Sequence, residues 1–214
     1  MLPNTIRNVR KEHTMKGLKN TIAIILSVAV AASLVSCGDS GHKSLMRLCT
    51  NLRSDYICNL SFTSGSGESK TEGSAELSHA ETLSTLKIKS PELLSGMQIE
   101  YDTVGAPSAI SVHFSGIDLS LPEGALARIN RIAALSADDF VSVLEKVGAD
   151  KIAQYDTQNG DFAYFVEVPY KEATVTVFFS KDGEAPYSIE YLSEDASAVV
   201  EFTDFELIYG DGTE

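Results

Sequence analysis

Apolar and polar residues alternate along most of the chain after position 55. In residues 56–62 the apolar side chains Tyr56, Cys58, Leu60 and Phe62 fall on every second position. This period of two, with one dry face and one wet face, is typical of strands in antiparallel sheets. The same period recurs in residues 73–77, 86–89, 97–102, 110–114, 151–156, 162–168, 174–180, 187–192 and 198–207. The pattern therefore predicts about ten strands.

Helical spacing occurs at two places in the chain. Residues 43–53 carry one apolar stripe at positions i, i+3, i+4 and i+7, which predicts an amphipathic helix. Residues 122–135 and 138–147 show similar spacing, and Gly148 is a natural stop for the second of them. The stripe of the first helix consists of Leu45, Leu48, Cys49 and Leu52.

The order of these elements is one helix, about five strands, two helices and about five strands. A single sheet of that size curls because its strands twist, and the helices then cover part of its concave, apolar face. The sequence therefore predicts a mainly β, α+β domain over residues 43–214. Its architecture is a curved antiparallel half-barrel with an N-terminal helix and two inserted helices.

The first 36 residues have a different layout. Lys16 and Lys19 precede residues 21–34, an apolar run of 14 residues. A helix needs roughly 20 apolar residues to cross a bilayer, so this run is short for a permanent span and suits a signal peptide. Residues 1–36 are predicted to be that signal, with Met15 as an alternative start.

The apolar run ends in Leu34-Val35-Ser36-Cys37. This ending resembles the bacterial lipobox, in which small residues precede a cysteine that is diacylated on sulfur and becomes the mature N-terminus. The resemblance implies a lipid anchor on Cys37 and an exported protein held at the extracytoplasmic face of a cell membrane. Residues 37–42 are then expected to form a lipidated end and a short flexible tether, Gly38-Asp39-Ser40-Gly41.

Charge narrows the choice of partners. The chain has 17 basic and 30 acidic residues, and residues 1–36 hold five of the basic residues and one of the acidic ones. The remaining chain has 12 basic and 29 acidic residues, which gives a formal charge of −17. Phosphate backbones repel such a surface, so nucleic acid is not an expected partner. Anionic headgroups repel it as well, which leaves the acyl chains as the expected attachment to the membrane.

Four segments of strand and turn residues carry a resemblance to a known family: Leu86–Pro91, Leu93–Ile99, Pro186–Ile189 and Val199–Phe205. They resemble the LolA/LolB family of lipoprotein carriers and receptors, whose relatives include RseB-type regulators and the clostridial germination lipoprotein. The resemblance implies a half-barrel that binds lipid, lipoprotein or a protein partner without enzymatic activity. The carrier's arginine on an early strand has no counterpart, because every arginine after Cys37 lies in or beside a predicted helix.

Little in the sequence points to catalysis or to a bound metal or cofactor. His79 and His113 lie on predicted strands without a second histidine at metal-ligand spacing, and the scattered carboxylates form no recognisable catalytic pair. We therefore expect no catalytic residue, no metal and no cofactor. An envelope hydrolase remains the least favoured alternative. Cys49 and Cys58 are either a disulfide, which an exported protein permits, or two buried thiols.

Aromatic residues crowd the second half of the chain. A half-barrel has more concave apolar surface than two short helices cover, so inward aromatic side chains are candidates for binding an acyl chain or a partner. The candidate ligand-binding residues are Tyr164, Phe178, Tyr191 and Phe202. We expect a lipid-anchored binding protein of the cell envelope. Its ligand is either an exported protein or a hydrophobic molecule, with a lipid or lipoprotein receptor as the alternative.

Overall fold

The structure is a computed structural model that describes residues 38–66, 69–102, 110–121, 138–157, 161–194 and 196–208. The chain divides into two units, Met1–Val35 and Ser36–Glu214, and all described residues belong to the second. The predicted signal peptide, Cys37 and the helix predicted over residues 122–135 lie outside the described residues. No helix in the described ranges is long and apolar enough to cross a membrane.

Eleven strands of the described residues form one antiparallel sheet that does not close into a barrel. Their bounds are Tyr56–Ser66 (β1), Ser69–Ala80 (β2), Leu83–Ser90 (β3), Gln98–Asp102 (β4), Ile110–Phe114 (β5), Ile117–Leu121 (β6), Ile152–Asp156 (β7), Phe162–Tyr170 (β8), Ala173–Phe179 (β9), Pro186–Leu192 (β10) and Ser197–Leu207 (β11). The spatial order is β6-β5-β4-β3-β2-β1-β11-β10-β9-β8-β7. The predicted half-barrel is confirmed, and β1 and β11 meet at its centre.

One strand was not predicted. Ile117–Leu121 (β6) follows β5 after the two-residue turn Ser115–Gly116, whose φ angles are 51° and 78°. Positive φ at both positions gives the turn the twist of the strands that it joins, so the chain reverses directly into a hairpin. The pairing runs from Phe114 opposite Ile117 to Ile110 opposite Leu121.

The N-terminal helix, α1, spans Gly38–Leu52 and begins earlier than predicted. Gly38–Gly41 is therefore not the flexible tether that composition suggested. Two contacts explain the difference: the Ser40 and Tyr164 hydroxyls are hydrogen-bonded at 3.1 Å, and Gly41 is buried against Ile152 and Tyr164. Glycine at position 41 lets the helix approach the sheet, because a Cβ there would lie 3.0 Å from the Ile152 side chain.

The second helix, α2, spans Asp138–Leu144 and packs against α1 and β8. The ring of Phe140 meets the edge of Tyr170 with centroids 5.0 Å apart, and the Tyr170 hydroxyl donates to the Asp139 carboxylate at 2.8 Å. Hydrogen-bonded turns continue to Val147, so the helix is shorter than the predicted 138–147. The two helices cover the inner face of the sheet at its β7–β8 edge.

The predicted stripe of α1 is buried. Leu45, Leu48, Cys49 and Leu52 are each less than 5% exposed and belong to the same core as the inner face of the sheet. Cys49 and Cys58 are buried free thiols, which settles the alternative left open by the sequence. Burial raises the pKa of each thiol to about 12, so both remain protonated at neutral pH.

Candidate functional site

Tyr164 lies on the inner face of β8 and is covered by the start of α1. The side chain is 3% exposed, and its ring packs against Phe179 with centroids 5.8 Å apart. With its hydroxyl bonded to Ser40, this residue is part of the core. A ligand would reach it only if the first turn of α1 moved.

Phe178 does not point inward, contrary to the orientation expected from the sequence. Val177 and Phe179 are fully buried on the inner face, so strand alternation directs Phe178 to the outer face. There its ring stacks on Phe165 at 5.7 Å and meets the edge of Tyr155 at 5.3 Å. The alternation of Thr174 and Thr176 with Val175 and Val177 already indicates this orientation.

Tyr191 and Phe202 lie on the inner face, half-buried and packed against the core. They belong to the neighbouring strands β10 and β11 but do not sit together. Tyr191 is opposite Ala198, and Phe202 is four residues further along β11, roughly 13 Å away at strand spacing. The four predicted ligand-binding residues therefore do not converge on one site, and a binding role for each stays a prediction.

The outer face carries a cavity of about 750 Å³ that crosses β11, β1 and β2. We call it the outer cavity, and it is lined by Ser61, Phe62, Thr63, Glu72, Gly73, Ser90, Pro91, Val199 and Glu201. Ser61 and Thr63 of β1 and Val199 and Glu201 of β11 alternate with the buried residues Leu60, Val200 and Ala198, so their side chains are on the outer face. Phe62 and its partner Gly73 have the opposite parity and belong to the inner face, where Phe62 packs against the core. The polar lining of the cavity is thus on the solvent side of the central strands, and nothing in the sequence pattern singled it out.

Gly73 is one of the lining residues, and it leaves room for the ring of Phe62. A Cβ at this position would lie 2.5 Å from the ring of Phe62 and 2.6 Å from the carbonyl oxygen of Ser90. Phe62 faces Gly73 across the β1–β2 ladder, so the aromatic ring occupies the space that a side chain would need. On the outer face, the short side chains of Ser61 and Thr63 leave open volume.

Two carboxylates give the outer cavity its charge. Glu72 and Glu201 are both exposed, and the Ser61 hydroxyl donates to the Glu201 carboxylate at 2.9 Å. Among the described residues, neither carboxylate forms a salt bridge.

Other acidic side chains on the domain do have basic partners. Glu184 pairs with Arg47 at 2.9 Å. Glu76 pairs with Lys89 at 3.1 Å, and Glu145 pairs with Arg53. These three carboxylates are neutralised by a basic side chain, whereas Glu72 and Glu201 at the outer cavity have no basic partner among the described residues.

The two strand histidines, His79 and His113, are each in contact with polar side chains. The His79 ring nitrogen is 2.9 Å from the Ser84 hydroxyl in the core, and burial lowers its pKa. His113 is exposed between Asp118 at 2.7 Å and Glu100 at 3.5 Å, and the hydrogen bond to Asp118 raises its pKa. Within the described ranges, no three His, Cys, Asp or Glu side chains are arranged to hold a metal ion.

The described half-barrel is similar in fold to several solved structures, while no family model and no curated protein matches the chain. One is a LolA superfamily protein from Nitrosomonas europaea, which is 10% identical with a TM-score of 0.40; the match covers 78% of this chain and 93% of that chain. A second is a domain of an outer membrane lipoprotein-sorting protein from Vibrio parahaemolyticus, which is 11% identical with a TM-score of 0.38; the match covers 81% of this chain and 95% of that chain. A third is the lipoprotein LppX from Mycobacterium tuberculosis, which is 8% identical with a TM-score of 0.43; the match covers 81% of this chain and 99% of that chain.

Proposed function

We propose that this chain is a lipid-anchored, non-enzymatic binding protein of the cell envelope that holds an exported protein partner on the outer face of its half-barrel. The signal layout and the lipobox at Cys37 support the anchor. Because α1 begins at Gly38, an acylated Cys37 would be attached directly to the packed first turn of the domain. The domain would then stay close to the bilayer and could not shuttle between membranes.

The observation that carries this proposal is the outer cavity. It combines a ligand-sized volume with two carboxylates that have no basic partner among the described residues. A surface that is acidic overall speeds the encounter with a basic partner and disfavours anionic ones. Hydroxyls and carboxylates arranged in this way bind by hydrogen bonds and ion pairs and require no chemical step.

A second candidate function is the binding of a hydrophobic ligand, as a lipid or lipoprotein receptor would do. Tyr191, Phe202 and Phe62 favour it, since each is an inner-face aromatic residue that the core leaves partly exposed. An acyl chain bound there would bury their remaining surface. The two candidates use opposite faces of the same strands.

One preparation of full-length protein tests both functions. The chain is expressed with a C-terminal affinity tag in a bacterium grown with labelled fatty acid, cross-linked in the cells and purified. The proposal predicts label that disappears in Cys37→Ser and a specific exported protein whose capture weakens as salt rises. Native mass spectrometry of the uncross-linked protein, which carries its own anchor, would show additional acyl species if the receptor function is correct. Hydrolysis of cell-wall or ester substrates without either result would contradict both functions.

A further inference from the structure

We propose that the outer cavity binds an extended basic segment of a protein partner, with one lysine or arginine side chain directed to Glu72 and a second to Glu201. This inference rests on the proposed function and names the chemistry of the partner. The volume of about 750 Å³ is within the range of roughly 300–1,000 Å³ found for ligand sites.

The spacing of the two carboxylates favours two cations over one. Glu72 pairs with Thr63 on one side of β1, and Glu201 pairs with Ser61 on the other side. Two strand spacings across the sheet and two residues along β1 separate the backbones of the two glutamates, which is roughly 12 Å. Basic side chains at positions i and i+2 of an extended peptide point the same way and lie roughly 7 Å apart at their Cα atoms, within reach of both.

The apolar part of the lining suits the same occupant. Pro91 and Val199 lie beside the carboxylates in the cavity wall, and Val199 is 36% exposed. Lysine and arginine place an aliphatic stem on apolar surface while the charged end reaches a polar group. A small metal ion would use the carboxylates and leave this apolar wall unused.

Hydrogen bonding holds one of the carboxylates in position. The Ser61 hydroxyl donates to Glu201, so one oxygen of this carboxylate is fixed above β1. Thr63 adds a second hydroxyl two residues along the same face, next to Glu72 on β2. Each glutamate therefore has a hydroxyl neighbour that is able to accept a hydrogen bond from an ammonium or guanidinium group.

The test uses the full-length protein in detergent and a fluorescent, acetylated lysine-threonine-lysine amide as the probe. Anisotropy is measured for the wild type, for the double variant Glu72→Gln with Glu201→Gln, and for a matched control, Glu167→Gln with Glu206→Gln. The control removes the same charge from exposed residues outside the cavity. A second probe replaces both lysines by norleucine, which keeps the length and removes the charge.

The proposal predicts that the cavity variant raises the Kd of the basic peptide at least about fivefold, because two ion pairs are lost, and that the control changes it less than about twofold. Equal effects in the two double variants would show general attraction to an acidic surface and overturn the proposal. Equal binding of the norleucine peptide, or no binding by the wild type, would also overturn it. If partner capture in cells survives in the cavity variant, the site assignment is wrong while the proposed function stands.

Discussion

The two faces of the half-barrel differ in what their residues do, although they alternate along the same strands. Phe179 is fully buried on the inner face, and the adjacent Phe178 lies half-buried on the outer face. The inner face packs on two helices, so its side chains determine whether the chain folds. The outer face keeps a cavity, unpaired carboxylates and an aromatic cluster that the core does not require. In a sheet with one covered face, residues on the solvent-exposed face are therefore not needed for the core and are available for binding.

The largest expected contrast between the faces is in stability. Phe179→Ala is expected to lower the free energy of unfolding by about 3–5 kcal/mol, because it removes a fully buried ring and leaves a cavity. Phe178→Ala removes the same atoms from the outer face. It is expected to lower the free energy of unfolding by about 1–2 kcal/mol, since this ring is only partly buried. Denaturant unfolding of both variants measures the difference. Equal losses would contradict the assignment of the two residues to opposite faces.

The next contrast concerns Gly73, which pairs with Phe62 across the β1–β2 ladder and lines the outer cavity. Gly73→Ala is expected to lower the free energy of unfolding by about 1–3 kcal/mol, because the added Cβ meets the Phe62 ring and the Ser90 carbonyl. Thr63→Ala on the cavity wall opposite is the control and is expected to cost about 0.5 kcal/mol or less. The comparison uses urea denaturation midpoints at constant slope. A neutral Gly73→Ala would show that the tight contact under the cavity is not present.

A smaller contrast is the pH dependence of the two strand histidines. Burial lowers the pKa of His79 on the inner face, so the unfolded chain takes up its proton first as the pH falls below 6.5. This residue therefore costs stability as the solution becomes acidic. The hydrogen bond to Asp118 raises the pKa of His113 on the outer face. His113 accordingly stabilises the fold below pH 6.5, and that contribution is lost as the pH rises through its folded pKa.

Unfolding curves of His79→Gln and His113→Gln between pH 5 and pH 8 test these opposite signs. Relative to the wild type, His79→Gln is expected to lose less stability on acidification, and His113→Gln to lose more. Each variant removes one imidazole, so the sign of its difference from the wild type reports on that residue. The same sign of change in both variants would refute the placement of one histidine inside and the other outside.

Strand periodicity and helical spacing were enough to predict the half-barrel, because each strand and helix buries one face and so spaces its apolar residues regularly. The same reasoning missed β6, although Ser115-Gly116 between two apolar residues is a hairpin signal. The same reasoning also predicted a flexible tether at Gly38–Gly41. That prediction was wrong because composition does not show that Ser40 is hydrogen-bonded to Tyr164.

The candidate site was harder to predict than the fold. The sequence pointed to aromatic residues, but the choice of Phe178 as an inward residue overlooked its parity with Thr174 and Thr176, which face outward. The outer cavity depends on residues from β1, β2, β3 and β11, and β11 is distant from the other three in the chain. Its signals in the sequence are a glycine in a strand and polar residues on a wet face, which are common in sheets that bind nothing.

The most direct test of the central claim is to compare partner capture by variants of the two faces in cells. Full-length wild type, the double variant Glu72→Gln with Glu201→Gln, and the inner-face variant Tyr191→Ala are cross-linked and purified in parallel, with equal amounts of folded protein in the membrane fraction. The account predicts that the outer-face variant loses at least about four-fifths of the captured exported protein, while Tyr191→Ala captures as much as the wild type. Loss of capture in Tyr191→Ala with full capture by the outer-face variant would contradict the account and place binding on the inner face.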